Sequence, residues 1–244
     1  MNYVFDVDGT LTPSRGKIDQ DFEKFFYSFA QRNDVYLVTG SDYEKTLEQV
    51  GSRILKSVRA SYNCSGNSVY VNGELTWKNQ WTLPDHMVKY CLDRVRQSKF
   101  YAKTGNHVEQ RIGLANWSIV GRNASLENRA MYKQWDEHKL ERETLAREFN
   151  AEFKSEGVVA QVAGETGLDI VQVGADKSQI ADWLTGPISF FGDKTEKGGN
   201  DYPLALALVE RPHCKTYPVK DWIDTQRILY AIEFEDVHSH VGVV

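Results

Sequence analysis

Apolar residues follow two different periods at the start of the chain, and each period predicts a different element. Tyr3-Val4-Phe5 is a continuous run of β-branched and aromatic residues, which is typical of a buried parallel strand. Between residues 19 and 32, phenylalanines recur every three or four positions and predict a helix with one apolar face. Residues 35–38 resemble the next buried strand, and a helix over residues 43–50 follows it. This order predicts a doubly wound, Rossmann-like α/β core.

The pattern changes further along the chain. Residues 62–81 contain short strands and Asn72-Gly73, which is typical of a tight hairpin. The stretch from 82 to 174 has two helical segments and four strand-like pieces: 84–97 and 126–154, then 107–112, 115–120, 158–162 and 168–173. Core-like strands return at 188–191 and 215–219. We therefore predict a core formed by residues 1–81 and 175–244, and an inserted α+β domain at residues 82–174.

Composition and charge narrow the class of protein. The chain has 244 residues and a net charge of -5, which argues against a nucleic acid as partner. Its three cysteines are widely spaced and odd in number, which favours thiols in a reducing compartment. No apolar run approaches the length of a membrane span, and no signal-peptide pattern is present. We expect a cytoplasmic protein that does not act at a membrane.

The end of the first strand carries two carboxylates, Asp6 and Asp8. The two-residue period of a strand turns both toward one side, where they repel unless a cation or a proton lies between them. Mg²⁺ suits such oxygen ligands. Asp6 could then attack phosphorus as a nucleophile, with Asp8 as the general acid and base. The alternative is a turn with two solvated aspartates.

Two later strand ends offer further polar groups. Thr39 and Ser41 lie between a strand and a helix, where they could donate to a phosphate, although Ser41 or Asp42 could equally be an ordinary helix N-cap. After the strand at 188–191, a glycine-rich loop carries three residues suited to completing a Mg²⁺ shell: Asp193, Asn200 and Asp201.

Three arginines stand out in the inserted domain because they bracket a strand hairpin and the following helix. They are Arg111, Arg122 and Arg129. The planar guanidinium group matches phosphate oxygens well. Each arginine could instead form a surface salt bridge of little energetic value.

Asp6-Val7-Asp8-Gly9-Thr10 resembles the first motif of the haloacid dehalogenase superfamily, and the longer segment from Phe5 to Arg15 is similar to the start of eukaryotic-type phosphomannomutases. Arginines at intervals of eleven and seven residues in the inserted domain match that family as well. The resemblance implies a haloacid dehalogenase core with an α+β cap, an aspartyl-phosphate on Asp6, Mg²⁺ as cofactor and a sugar bisphosphate as activator.

The resemblance also implies roles for individual residues. Lys177 corresponds to the superfamily's phosphate-binding lysine, although a surface lysine in the first turn of a helix is the alternative. The implied metal ligands are Asp6, Asp8, Asp193, Asn200 and Asp201. The implied substrate contacts are Arg15, Thr39 or Ser41, Arg111, Asn116, Ser118, Arg122, Arg129 and Asp169.

The chain departs from the family pattern at Ile112, Ile119 and Gly167, where the family has asparagine, proline and serine. We expect a phosphomannomutase that interconverts mannose 6-phosphate and mannose 1-phosphate, with a cap that closes over the core. The three departures keep a phosphatase acting on a sugar phosphate as the alternative, and a non-catalytic phosphosugar-binding protein as a second. A homodimer through the cap is implied by the family likeness alone.

Overall fold

The computed structural model describes residues 1–14 and 16–241, with side chains up to residue 234. The chain divides into two compact units. A core unit comprises Met1–Lys78 and Asp176–Val244, and a second unit, which we call the inserted unit, comprises Asn79–Ala175.

The strands, in chain order, are β1 (Asn2–Phe5), β2 (Asp34–Val38), β3 (Ala60–Asn63), β4 (Ser68–Val71), β5 (Glu74–Lys78), β6 (Val108–Arg111), β7 (Leu114–Trp117), β8 (Val158–Ala163), β9 (Gly167–Gln172), β10 (Ile188–Gly192) and β11 (Lys215–Pro218). The helices are α1 (Gln20–Arg32), α2 (Tyr43–Ser57), α3 (Asp85–Gln97), α4 (Leu126–Lys139), α5 (Glu141–Glu152), α6 (Gln179–Trp183), α7 (Tyr202–Val209) and α8 (Trp222–Val241).

The core unit is built on a seven-stranded sheet in the order β11-β10-β1-β2-β3-β4-β5. Its first five strands pair in parallel, while β4 and β5 add an antiparallel hairpin. The chain order reverses at β1, which pairs with β2 on one side and with β10 on the other. Ligands of open α/β sheets bind outside the carboxyl ends of the strands at such a reversal point.

Helices cover both faces of this sheet because side chains alternate along each strand. Phe5 packs in one buried cluster with the α1 residues Phe22 and Phe26. Val4, its neighbour in β1, packs in a separate cluster with Ile180 and Leu204 of α6 and α7. The predicted doubly wound α/β class is confirmed by this arrangement and by the structural relatives described below.

The inserted unit has a four-stranded antiparallel sheet in the order β6-β7-β9-β8. Its core combines Trp117 and Ile170 from the sheet with Cys91, Tyr132 and Phe149 from α3, α4 and α5. The sheet therefore buries one face under helices.

One element prediction is wrong, and one helix was not predicted. The single helix expected over residues 126–154 is broken at Leu140, which adopts φ 51 and ψ 37 in the left-handed region. The helix α7 was not predicted, because its run of leucine and alanine residues has no polar face to reveal a helical period. Among residues 1–14 and 16–241, no helix has the length and apolar character needed to cross a membrane.

Candidate active site

A fully buried lysine lies between two carboxylates, one at the carboxyl end of β1 and one directly before α7. The Lys177 Nζ atom donates to Asp6 Oδ1 and to Asp201 Oδ1, both at 2.6 Å. Asp6 directly follows β1, and its N–H donates to the carbonyl of Phe191 in β10. Lys177 is 0% exposed, so it is not the surface lysine that the sequence left as an alternative.

Asp193 completes a group of three carboxylates. Oxygen atoms of Asp6, Asp193 and Asp201 all lie within 4.8 Å of one another. Asp193 Oδ1 is buried and has no hydrogen-bond partner among the residues that the structure describes. A Cβ at Gly9 would lie 2.4 Å from Asp193 Oδ2, and Gly9 has φ +79, so only glycine fits beside this carboxylate. An all-oxygen group with an unsatisfied carboxylate suits a hard divalent cation such as Mg²⁺.

The charges of this group do not balance without a further cation. Burial, together with the nearby charge of Asp201, raises the pKa of Asp6 to about 7 against the opposing charge of Lys177. Burial also raises the pKa of Asp193. For Lys177, burial alone lowers the pKa, but Asp6 and Asp201 outweigh it and the pKa is raised. One ammonium group faces three carboxylates, and a divalent cation would offset the excess negative charge.

The side chain of Asp8 belongs to a separate set of contacts. Its Oδ1 accepts a hydrogen bond from Gln49 Nε2 at 2.9 Å, and its Oδ2 accepts one from Ser41 Oγ at 3.4 Å. Thr39 is buried, and its Oγ1 accepts the N–H of Ser41 at 3.1 Å. Of the two hydroxyl groups that the sequence offered, Ser41 is thus the one that contacts a predicted catalytic residue.

The roles predicted for two other residues of the core unit, Asn200 and Arg15, remain predictions. Asn200 is exposed on the loop beside Asp201. Arg15 lies outside the described residues.

Six predicted residues line one polar pocket of about 150 Å³ within the inserted unit. They are Arg111, Asn116, Ser118, Arg122, Arg129 and Asp169. The strand period explains this grouping: Ala115 and Trp117 of β7 point into the core, so Asn116 between them faces the opposite side of the sheet. Asp169 of β9 is its cross-strand neighbour, and Asn116 Nδ2 donates to Asp169 Oδ1 at 2.7 Å.

Glu109 is not among the residues that the sequence predicted for the site. Its Oε2 atom accepts from Arg111 Nε at 2.7 Å and lies 3.0 Å from Arg122 Nε, so one carboxylate joins two of the pocket's arginines. Glu109 and Arg111 are two residues apart on β6 and therefore share a face, but this spacing does not reveal the contact with Arg122. The side chain of Arg129 has no polar partner among the described residues. Its guanidinium group is therefore available to an anion.

The departures from the family pattern have different surroundings. Ile119 is fully buried in the core of the inserted unit, and Ile112 is half-buried in the turn between β6 and β7. Gly167 lies against the pocket, where a Cβ would come within 2.9 Å of Asn116 Nδ2. Asn116 Oδ1 is buried without a hydrogen-bond partner in the described part of the chain. Gly167 thus leaves room for the Asn116 amide.

Residues 22–235 match the profile of the eukaryotic phosphomannomutase family. A phosphomannomutase from Drosophila melanogaster is 33% identical over 243 residues, which covers 94% of both chains. Phosphomannomutase 1 from Mus musculus is 31% identical over 215 residues, covering 82% of this chain and 81% of that protein. The chain belongs to the eukaryotic phosphomannomutase family. It is therefore an enzyme of the haloacid dehalogenase superfamily, as the sequence motifs predicted.

Solved structures agree on the fold. An IMP-nucleotidase mutant from Plasmodium falciparum matches with a TM-score of 0.59 at 14% identity, covering 96% of this chain and 68% of that chain. A haloacid dehalogenase-like hydrolase from Bacteroides thetaiotaomicron matches with a TM-score of 0.58 at 11% identity, covering 95% and 98%. At these identities the likeness is one of fold alone.

Proposed function

We propose that this phosphomannomutase family member is a Mg²⁺-dependent mutase that interconverts mannose 6-phosphate and mannose 1-phosphate through an aspartyl-phosphate on Asp6. The observation that carries the proposal is the buried contact between Asp6 and Lys177 at the reversal point of the sheet. The names of the relatives support the substrate.

Asp6 acts as the nucleophile. Its carboxylate oxygen forms a bond to phosphorus while the bond from phosphorus to the sugar oxygen breaks, and the reverse transfer returns the phosphoryl group to the other hydroxyl of the sugar. Lys177 fixes one oxygen of Asp6 and supplies positive charge where negative charge accumulates.

Asp8 moves the proton. It protonates the sugar oxygen as that oxygen leaves, and it accepts the proton of the hydroxyl that attacks next. Its separate contacts to Gln49 and Ser41 suit this role, because they leave the Asp8 carboxylate outside the buried group of three.

Asp6, Asp193 and Asp201 would hold the Mg²⁺ ion, with Asp8 and Asn200 as further candidates. When bound, the ion supplies positive charge that offsets the carboxylates and the phosphoryl oxygens.

The pocket of the inserted unit would hold the phosphate that is not reacting. A sugar bisphosphate carries two phosphates, and Arg111, Arg122 and Arg129 offer planar donors to one of them. Asn116, Ser118 and Asp169 would contact the sugar hydroxyls. Hydroxyl groups of Thr39 or Ser41, and Arg15, would contact the substrate from the core unit.

A paired assay tests the proposal. The protein is given Mg²⁺, mannose 1-phosphate and a trace of a mannose bisphosphate, and both mannose 6-phosphate and free phosphate are measured in the same tube. We expect isomerisation to exceed phosphate release, and Asp6→Asn to abolish both. Asp34→Asn is the matched control, because Asp34 forms an exposed pair with Arg59.

Release of phosphate without isomerisation would replace the mutase with a phosphatase on the same scaffold. In that case Asp6→Asn would still abolish turnover. Full activity of Asp6→Asn would exclude an aspartyl-phosphate at this residue and with it the proposed mechanism.

A further inference from the structure

Gln49 is a buried polar residue whose amide contacts the loop that carries Asp8. It is 2% exposed, and its Nε2 atom donates to Asp8 Oδ1 at 2.9 Å and to Thr12 Oγ1 at 3.3 Å. Thr12 Oγ1 in turn donates to the carbonyl of Val7 at 3.3 Å. One amide group therefore bridges the Asp8 carboxylate and the turn that follows it.

Gln49 lies close to a break in α2. Gly51 adopts φ 77 and ψ 161, which interrupts the helix two residues after Gln49. The backbone carbonyl of Gln49 accepts the N–H of Ile18 at 2.8 Å, so the same residue also holds the far end of the loop. Both ends of the segment between Asp8 and Ile18 are thereby attached to Gln49 of α2.

We propose that Gln49 is a positioning residue that holds the Asp8 carboxylate in the orientation needed for proton transfer. The inference deepens the proposed function and rests on it. Gln49 fixes Oδ1 of Asp8, while Ser41 contacts Oδ2 from the other side. An amide suits this task because it donates a hydrogen bond without bringing a charge, whereas a glutamate at this position would repel the Asp8 carboxylate.

The leaving group of the substrate provides the test. A sugar oxygen needs a proton as it leaves, but p-nitrophenolate is stable enough to leave without one. Gln49→Ala should therefore lower kcat for mannose 1-phosphate by about tenfold or more, since general acid catalysis contributes about 10²–10⁴-fold in typical enzymes. The first-turnover rate of p-nitrophenol release from p-nitrophenyl phosphate should stay within about threefold of the wild type, because neither the attack by Asp6 nor this leaving group needs a proton from Asp8, whereas later turnovers need Asp8 again to activate the water that hydrolyses the aspartyl-phosphate. The KM for mannose 1-phosphate should change little.

Two further variants serve as a control and as a replacement for Gln49→Ala. Glu48→Gln alters the neighbouring residue, which forms an exposed pair with Lys45, and should change neither reaction. Gln49→Glu retains the size of the side chain and should show the same selective loss as Gln49→Ala, so it serves if Gln49→Ala does not fold.

The possible results distinguish a positioning role of Gln49 from a structural one. Equal losses with both substrates in a folded Gln49 variant would make Gln49 a structural residue and overturn the inference. So would unchanged turnover of mannose 1-phosphate. A wild-type protein that turns over neither ester would instead overturn the proposed function, which separates the two failures.

Discussion

Lys177 is a buried cation of the core unit that contacts two carboxylates. Its ammonium group is fully buried and contacts both Asp6 and Asp201. Removing one partner of a buried ion pair leaves an uncompensated charge, which costs about 3–5 kcal/mol. We expect Lys177→Met to lower the free energy of unfolding by about 3 kcal/mol, measured by urea titration in metal-free buffer.

A second substitution tests whether the unpaired carboxylates cause this loss of stability. Asp201→Asn added to Lys177→Met should recover part of the stability, because it removes one of the two uncompensated charges. Lys45→Met is the control, since Lys45 forms an exposed pair with Glu48 and such pairs are worth at most about 1 kcal/mol. Equal effects of Lys177→Met and Lys45→Met would show that the buried contact contributes little.

The three cysteines differ in their burial. Burial raises the pKa of Cys91 to about 12, whereas Cys64 and Cys214 are only half-buried. The thiolate is the reactive form, so a raised pKa means that very little of Cys91 is reactive at pH 8. A disulfide reagent should label two thiols per folded chain at pH 8 and a third only in urea. Rapid labelling of three thiols in the native protein, reduced to two by Cys91→Ser, would contradict this expectation.

At the scale of elements, the break between α4 and α5 stores strain in an exposed residue. Leu140 has φ 51 and is 50% exposed. Its left-handed conformation costs free energy that burial of the side chain does not offset. We expect Leu140→Gly to raise the free energy of unfolding by about 0.5–1 kcal/mol, measured by urea titration, because glycine adopts this conformation without a Cβ clash.

A second leucine provides the comparison for Leu140. Leu126 is 86% exposed and begins α4 with ordinary helical geometry. Leu126→Gly should therefore destabilise the protein by about 0.5–1 kcal/mol, the opposite sign. A loss of stability with both substitutions would show that Leu140 is not strained.

The break at Leu140 also shows a feature of the fold that sequence patterns do not predict. Neither glycine nor proline lies near Leu140, so no local signal ends the helix. Side-chain contacts across the break hold it instead: Asp136 accepts hydrogen bonds from the Arg142 backbone N–H and from Arg142 Nε, at 2.9 and 2.7 Å. Strands and helices with a clear period, such as β1 and α1, were predicted because their own residues specify them.

The residues of the candidate site also divide into those that the sequence identified and those that it did not. The sequence pointed to Asp6 and Asp193 because each follows a strand, and to Lys177 through its resemblance to the superfamily's phosphate-binding lysine. Gln49 and Glu109 could not be assigned a role, because their importance depends on which side chain each contacts. Those contacts, to Asp8 and to Arg111 and Arg122, exist only in the folded chain.

At the scale of the whole molecule, the inserted unit has what an independent domain requires. It has its own buried core, in which Trp117, Tyr132 and Phe149 are fully buried. Its two chain ends lie together, since Asn79 Nδ2 donates to Gln172 Oε1 at 3.3 Å. Insertions with adjacent ends interrupt the surrounding chain least.

We expect a fragment of residues 79–175 to fold alone and to bind phosphate in its own pocket. Near-ultraviolet circular dichroism in native buffer should show ordered aromatic residues, with loss of the signal in one cooperative urea transition.

Binding is measured by titration with a sugar bisphosphate. The backbone amide signals of pocket residues, including Gly167, should shift. Arg129→Ala should weaken the binding by about tenfold without changing the urea midpoint, because the Arg129 guanidinium has no polar partner in the described part of the chain. Lys154→Ala, on a short helical turn away from the pocket lining, should leave the affinity unchanged. A folded fragment whose shifts ignore the bisphosphate would show that the three arginines do not suffice to hold a phosphate.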